Sequence, residues 1–410
     1  MKRFFSLFTL LIVAGLVLAA CGGATGGGAL ECTDAIGCVT VAPGEDVHLA
    51  YMLTISGATA FLGEDSLGGI QIAIGDYGDV LGHGISLSGE DSLCSAEGGQ
   101  TAATAVTSDE TVVGIIGTNC SGSATAALPT ISSAGLTMCS PSNTAPALTD
   151  AEGTWQAGYF RAAHNDLFQG RIAAEYAYNE LGATTAATIH DGSPYADQLQ
   201  QVFAATFTEL GGTVTFQGAV NVGDTDMRSV LTSAAADSPD VLYFPIFEPE
   251  GPFIVAQSSE IEGLENTTLF GADGLLAASF PGNAGSNAEG MYLSGPYVSG
   301  ATYDDFLAKW ESQIGGVPPS GFHAFAYDCT VMLLDAITAA SQEGSDGTLL
   351  IGRQAIRDAM AATSNFSGLT GQLSCGATGD CATGEALGVF QITGAEINDG
   401  NWPPEVVWTP

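Results

Sequence analysis

Basic side chains are nearly absent from this chain. Only 8 lysines and arginines face 45 aspartates and glutamates, for a formal net charge of −37 at pH 7. Two of the eight are Lys2 and Arg3. Without its first twenty residues the chain keeps six basic residues, a net charge of −39 and Lys309 as its only lysine. A field of that sign repels nucleic-acid phosphates and anionic lipid, so neither is expected as a partner. The acidic residues are scattered, not blocked, which fits a solvated surface in a salty medium better than an acidic binding tail.

Other absences narrow the chemistry. There is no Cys-x-x-Cys, and His48, His83, His164, His190 and His323 cluster neither with cysteine nor with one another. No metal site is therefore expected. Past Ala20, no run is long and apolar enough to span a membrane. The Gly-x-Ser-x-Gly elbow of hydrolases is missing: Gly122-Ser123 continues as Ala124-Thr125. No Walker loop occurs, and no dinucleotide fingerprint opens the first helix. The expectation is a protein that is not an enzyme and carries no cofactor.

The amino end does carry a signal. After Lys2 and Arg3 an uncharged apolar run extends from Phe4 to Ala20, closed by Leu18-Ala19-Ala20-Cys21. A positive start, an apolar middle and small residues at a cut site make an export leader over residues 1–20. Cysteine just after the cut is the pattern of a bacterial lipobox, which makes Cys21 the lipid attachment point. The alternatives are an ordinary leader or a membrane helix with a chance cysteine, but the run is short for a spanning helix. Residues 21–44 follow as a tether, Gly-rich over Gly22–Gly28. The expected location is outside the cytoplasm, lipid-anchored to the cell membrane.

Eight cysteines remain, an even number that suggests disulfides in an exported chain. Cys32 and Cys38 are six apart, as are Cys375 and Cys381, so each pair can close a local loop. Cys94, Cys120, Cys139 and Cys329 allow three pairings that spacing does not separate.

With 46% hydrophobic residues, the remaining chain can bury cores, and its length suits two domains. Short β-branched runs alternate with Ala-rich helical segments. Strands are expected at Val47–Ile55, Ile85–Ser88, Val112–Ile116 and Leu136–Cys139, with helices at Gly63–Tyr77, Glu97–Val106 and Ser123–Ser133. After a Trp155–Arg161 connector the rhythm restarts from Phe168–Leu181 and Thr184–His190 through Thr268–Phe270. Helices follow at Tyr303–Ile314, Phe322–Ser341 and Ile351–Ala361. Alternation of this kind argues for parallel sheets covered by helices, twice over: an α/β protein of two Rossmann-like lobes.

Open α/β sheets bind ligands beyond the carboxyl ends of their strands. In the first half those loops are Ser56-Gly57, Thr118–Ser123 and Ser140–Thr144, rich in hydroxyls suited to a carboxylate at a helix start. In the second half they add Tyr195, Phe247, Glu248 and Asp273. Anion-binding groups on one side and a carboxylate on the other describe a site for a zwitterion. Each residue also has a plainer reading as a cap, a turn or packing.

In order and spacing, Ser56–Gly63, Gly117–Ser121, Ser140–Thr144, Gly271–Gly274, Ala326–Asp328 and Gly388–Gln391 resemble segments of the substrate-binding proteins of branched-chain amino acid ABC transporters. The likeness covers nearly all of the chain after the leader. It implies the type I periplasmic binding protein fold: two lobes, residues 45–162 with 297–369 and 163–296 with 370–410. Three crossovers are implied near Arg161–His164, Gly295–Val298 and Gly368–Gly371. It implies that Ser121, Ser142 (through its carbonyl) and Thr144 grip an α-carboxylate and part of the ammonium. Tyr195 opens a second-lobe helix at the site, and Asp273 meets the α-ammonium where aliphatic-ligand relatives often have Glu. Phe247 stands where relatives often place an aromatic, and Glu248 beside it is an extra carboxylate that could meet a second cationic group. Leu62 replaces a large aromatic of the side-chain pocket. The family disulfide matches Cys94–Cys120, which leaves Cys139–Cys329. The implied partners are an amino acid and ABC permease subunits, with the protein a monomer. Ligand sensing, or transport of amides, urea or short acids, are the competing roles.

Overall fold

The computed structural model describes residues 30–410, so the leader, Cys21 and the Gly-rich stretch of the tether lie outside the described residues. Two sheets organise the rest. The first has five parallel strands in the order Ile85–Asp91, Val47–Leu53, Val112–Gly117, Met138–Ser140, Tyr159–Arg161. Its central strand, Val-Val-Gly-Ile-Ile-Gly, is buried along its whole length, as a parallel strand covered on both faces must be. The second sheet runs Glu405–Trp408, Leu387–Gln391, Tyr292–Pro296, Thr268–Gly271, Val241–Phe244, Thr185–His190, Thr213–Ala219. Its first two strands are antiparallel additions and the rest are parallel.

Helices Phe61–Tyr77 and His323–Ala340 cross closely over the first sheet. Glycine makes the approach possible, since a Cβ on Gly69 would lie 2.2 Å from the His323 carbonyl oxygen. Cys139 at the sheet is bonded to Cys329 on that second helix, both fully buried. The bridge joins segments 190 residues apart in sequence. Cys32–Cys38, Cys94–Cys120 and Cys375–Cys381 are bonded as well.

Residues 30–44, expected as tether, hold a strand, Cys38–Val41, paired antiparallel with Leu349–Gly352. Three further local readings change. Tyr159–Arg161, expected as connector, is the fifth strand. Its arginine can be fully buried because Asp380 arrives from far along the chain to pair with it. Ile351, expected in a helix, lies in a strand, Leu349–Gly352, and the helix starts at Arg353. That start is capped from a distance: Asp34 accepts from the N–H groups of Gln354 and Ala355, both at 3.0 Å.

The third change concerns the last crossover. Leu369 and Thr370 donate their N–H groups to Asp328 on the first-sheet helix. Arg161 donates its N–H to the Gly379 carbonyl, and Cys381 donates back to the Arg161 carbonyl. Residues 371–381 therefore stay with the first sheet, and the chain joins the second only at Leu387, later than the Gly368–Gly371 region.

Among the described residues, lysine and arginine pair with few of the carboxylates: Asp380, Glu175, Asp226, Glu260 and Asp76. The rest repel one another across the surface. Between about 0.1 M and 1 M salt the screening length falls from about 10 Å to about 3 Å. The thermal midpoint is accordingly expected to rise over that range of sodium chloride. A midpoint that stays level or falls would show that the surplus charge does not burden the fold.

Candidate binding cleft

The loops beyond the carboxyl ends of both sheets face one another. Asn119, between the central strand and helix Ser121–Ser133, ties the first-sheet side together. Its Oδ1 accepts from the Thr54 N–H at 2.8 Å, and its Nδ2 lies 3.1 Å from the Leu62 carbonyl, 2.9 Å from Ser66 Oγ and 3.1 Å from Ser142 Oγ. Ser142 Oγ donates in turn to the Asn119 carbonyl. Ser121 is the first residue of its helix, where N–H groups lack intrahelical acceptors and the helix dipole favours an anion. Its Oγ accepts from the Ala145 N–H at 3.2 Å, which holds the Ser140–Thr144 loop beside it.

On the second-sheet side, Ser193 caps helix Pro194–Glu209 and Pro194 sets its first turn. This places Tyr195 in the cleft. The Tyr195 hydroxyl donates to Asp273 Oδ1 at 2.7 Å and accepts from the Gly274 N–H at 3.1 Å. Its ring lies 5.0 Å from that of Phe247. Gln169 Nε2 also donates to Asp273 Oδ1, at 2.6 Å, and its Oε1 is hydrogen-bonded to His164 Nε2. Only glycine fits after Asp273, because a Cβ on Gly274 would lie 2.6 Å from the Ile246 carbonyl oxygen.

Leu62, Ser121, Ser142, Tyr195, Phe247 and Asp273 thus line one cavity, joined by Asn119, Gly274 and Phe322. The cavity measures about 10 Å³, room for about one water molecule. An amino acid therefore requires the two sides to part.

Thr144 lies behind the wall. Its carbonyl accepts from the Asp166 N–H at 2.9 Å, and its Oγ1 is buried without a partner. Glu248 is not on the wall either. It is buried, and its two oxygens accept from Ser279 Oγ at 2.8 Å and Asn283 Nδ2 at 2.6 Å. It therefore does not line this cavity, where its sequence position suggested it could meet a second cationic group.

The sequence reading assigned no role to Asp166. It is fully buried, and neither carboxyl oxygen has a hydrogen-bond partner among the described residues. Burial first, and the neighbouring Asp273 second, push its carboxyl well above the usual range. Burial likewise pushes Asp273 up to about 6, against the pull of the donors Tyr195 and Gln169. Tyr195 and Gln169 donate to Asp273, whereas the Thr144 hydroxyl and Arg161 pull Asp166 only against larger burial and repulsion, so the shared negative charge favours Asp273. Burial also lowers His164, to about 4, so it is neutral near pH 7.

Neither carboxyl has an ion-pair partner among the described residues. Arg161, the cation acting on Asp166, is committed elsewhere: Nε and Nη2 to Asp380, Nη2 to Thr149 Oγ1, and Nη1 to the carbonyls of Asn143 and Ala145. The cleft therefore offers hydroxyls and a helix start on one side and an uncompensated carboxylate on the other.

A family model described as periplasmic binding protein matches residues 46–396. The chain belongs to that family of solute-binding proteins, with the type I fold. A Leu/Ile/Val-binding protein of Rhizobium johnstonii is 24% identical over 356 residues, covering 86% of this chain and 93% of its own. Among solved structures, a leucine-binding protein from Thermotoga maritima superposes with a TM-score of 0.77 at 27% identity, covering 89% of this chain and 99% of its own. A solute-binding protein from R. palustris in complex with benzoate gives 0.73 at 21% identity, covering 89% and 96%. No helix among the described residues is long and apolar enough to cross a membrane.

Proposed function

We propose that this chain captures an amino acid, branched-chain or of similar aliphatic character, between its two lobes and delivers it to an ABC permease without chemistry. The observation that carries the reading is the buried Asp273 carboxylate, unpaired, across one cavity from the hydroxyls and free helix start at Ser121. A zwitterion satisfies both sides at once. Its carboxylate takes the Ser121 hydroxyl and the N–H groups of that first turn, and the Ser142 carbonyl stands on the same side for the ammonium, with Thr144 behind it. Its ammonium meets Asp273, and its side chain packs on Leu62, Phe247 and Phe322. Each ligand charge needs such a partner, because burying it bare costs several kcal/mol. The lobes must open about the three crossovers to admit it, and the ligand then stabilises the closed form.

Cys21 as a lipid anchor would hold the protein outside the cytoplasm, close to its permease. A second reading, capture of an aromatic carboxylate, draws on the benzoate-bound relative and on the rings of Tyr195, Phe247 and Phe322. Asp273 speaks against it, since a ligand without a cation leaves that charge buried with hydrogen bonds but no ion-pair partner.

Thermal unfolding of the chain from Ala29 onward, disulfides intact, separates the two. A ligand that binds only the folded state stabilises it by about 2.7 kcal/mol at a hundred times its dissociation constant. A rise in midpoint with leucine, isoleucine or valine is expected. A rise with benzoate or other acids lacking an amine, and none with amino acids, would overturn the amino-acid reading.

A further inference from the structure

A larger cavity, about 380 Å³, lies behind the cleft and takes its walls from both lobes. That size is within the range of small-molecule sites. It adjoins the cleft through a single layer of chain. Gly321 and His323 line it while Phe322 lines the cleft, and Leu276 lines it while Asp273 and Gly274 line the cleft.

Four rings, Tyr297, Tyr303, Phe390 and Trp402, form its apolar walls. Several polar groups among its walls keep free hydrogen-bonding capacity. His323 Nδ1 is 2.9 Å from Asp65 Oδ1, and its Nε2 is 2.7 Å from the Tyr303 hydroxyl. With His323 donating to Asp65, Tyr303 donates to Nε2 and its oxygen remains an acceptor. Trp402 Nε1–H is already given to the Pro318 carbonyl. Ser320, also lining the cavity, has a buried hydroxyl with no hydrogen-bond partner. Glu311 is exposed at the cavity and makes no ion pair among the described residues. No lysine or arginine lines it.

We infer that this cavity is a second binding site, for a small aryl-alkyl ammonium: an apolar ring held among the four aromatic side chains, with its cation turned toward Glu311. The aromatic faces attract a cation as well as burying a ring, and the surplus negative charge of the whole chain disfavours an anion there. An occupant touches both lobes, so its affinity depends on the angle between them.

The test uses 2-phenylethylammonium as probe, with 2-phenylethanol and phenylacetate as its neutral and anionic counterparts, in titration calorimetry on the disulfide-intact protein. The ammonium is expected to bind the wild type, with the alcohol at least fivefold weaker and the acid not detected. Leu307 also lines the cavity, and Leu307→Trp fills it and should abolish binding. Asp273→Asn, which alters only the cleft, should leave it within twofold. Glu311→Gln, an exposed and mild change that keeps the test valid should Leu307→Trp fail to fold, should weaken binding about five- to tenfold. Binding that vanishes in Asp273→Asn and survives Leu307→Trp would assign the probe to the cleft and overturn the inference. So would equal binding of the alcohol, unchanged binding in Glu311→Gln, or no binding to the wild type at millimolar probe.

Discussion

Asp273→Ala is expected to raise the dissociation constant for leucine at least a hundredfold. The ammonium of a bound amino acid would be enclosed with that carboxylate as its charged partner. Removing one member of a buried charge pair costs roughly 3–5 kcal/mol, and each 1.4 kcal/mol is tenfold in affinity. Fluorescence or calorimetric titration reads it directly. A change below tenfold would mean that the ammonium rests elsewhere, with Asp166 the first alternative.

The same residue sets the pH dependence. Burial holds Asp273 up at about 6, and the ammonium requires the ionised form. Affinity should therefore be level above pH 7 and fall toward tenfold per unit below about pH 6. Stability of the ligand-free protein runs the other way. A carboxyl whose folded pKa lies above its unfolded value binds the proton more tightly when folded, so it adds stability as pH falls from about 6 toward the ordinary value. Affinity and stability moving in opposite directions across this window is a signature that acid unfolding does not mimic. In Asp273→Asn the affinity trend should flatten, while part of the stability trend persists through Asp166 and Asp328, whose carboxyls burial also holds above the usual range.

Arg161→Met is expected to destabilise the fold by about 1–3 kcal/mol or more, the cost of leaving buried acceptors without their donor. Arg161 is fully buried, and its loss strands Asp380 together with the carbonyls of Asn143 and Ala145 and the Thr149 hydroxyl. Because those carbonyls belong to the site loop and its end, leucine affinity should fall along with stability. Pairing the change with Asp380→Leu should recover much of the stability, since a buried ion pair and an apolar pair of similar volume differ little. Denaturant unfolding of the single and double variants decides. A double variant as unstable as Arg161→Met would place the value of the arginine in its loop contacts, not in the ion pair. Burial raises the Asp380 carboxyl, but Arg161 pulls it further down, below the ordinary value. Its stabilising contribution is thus complete above the ordinary carboxylate pKa of about 3.9 and is lost as pH falls through the lower folded value.

Much of the fold could be read in the sequence, because hydrophobic period and strand-helix alternation are local. The parallel strand Val112–Gly117 and the helix start at Ser121 follow from a short run of chain. What the sequence left unread depends on distant partners. The strand at Tyr159–Arg161 looked like connector because an arginine closes it, and only Asp380 makes that arginine buriable. The helix boundary at Arg353 is set by Asp34, more than three hundred residues earlier. At the site, Ser121, Ser142, Tyr195 and Asp273 stand in small-polar or aromatic loops, a pattern visible in one dimension. Asp166 looked like an ordinary residue before a helix, since the helix was expected from Phe168. Its burial against Asp273 exists only once the second lobe has brought together residues more than a hundred positions apart. Glu248 errs the other way: its neighbourhood in sequence suggested a ligand, while Ser279 and Asn283 hold it from a later segment.

The ladder that pairs Cys38–Val41 with Leu349–Gly352, together with the Asp34 cap, makes the first described residues part of the first lobe. Were the amino end anchored through Cys21, as proposed above, the anchor would connect to the first lobe through that ladder. The first lobe would then be the stationary frame and the second the swinging arm, with the Tyr195 and Asp273 side moving away from a fixed Ser121. A tether at the opposite terminus would reverse the frame, because Glu405–Trp408 is the edge strand of the second sheet.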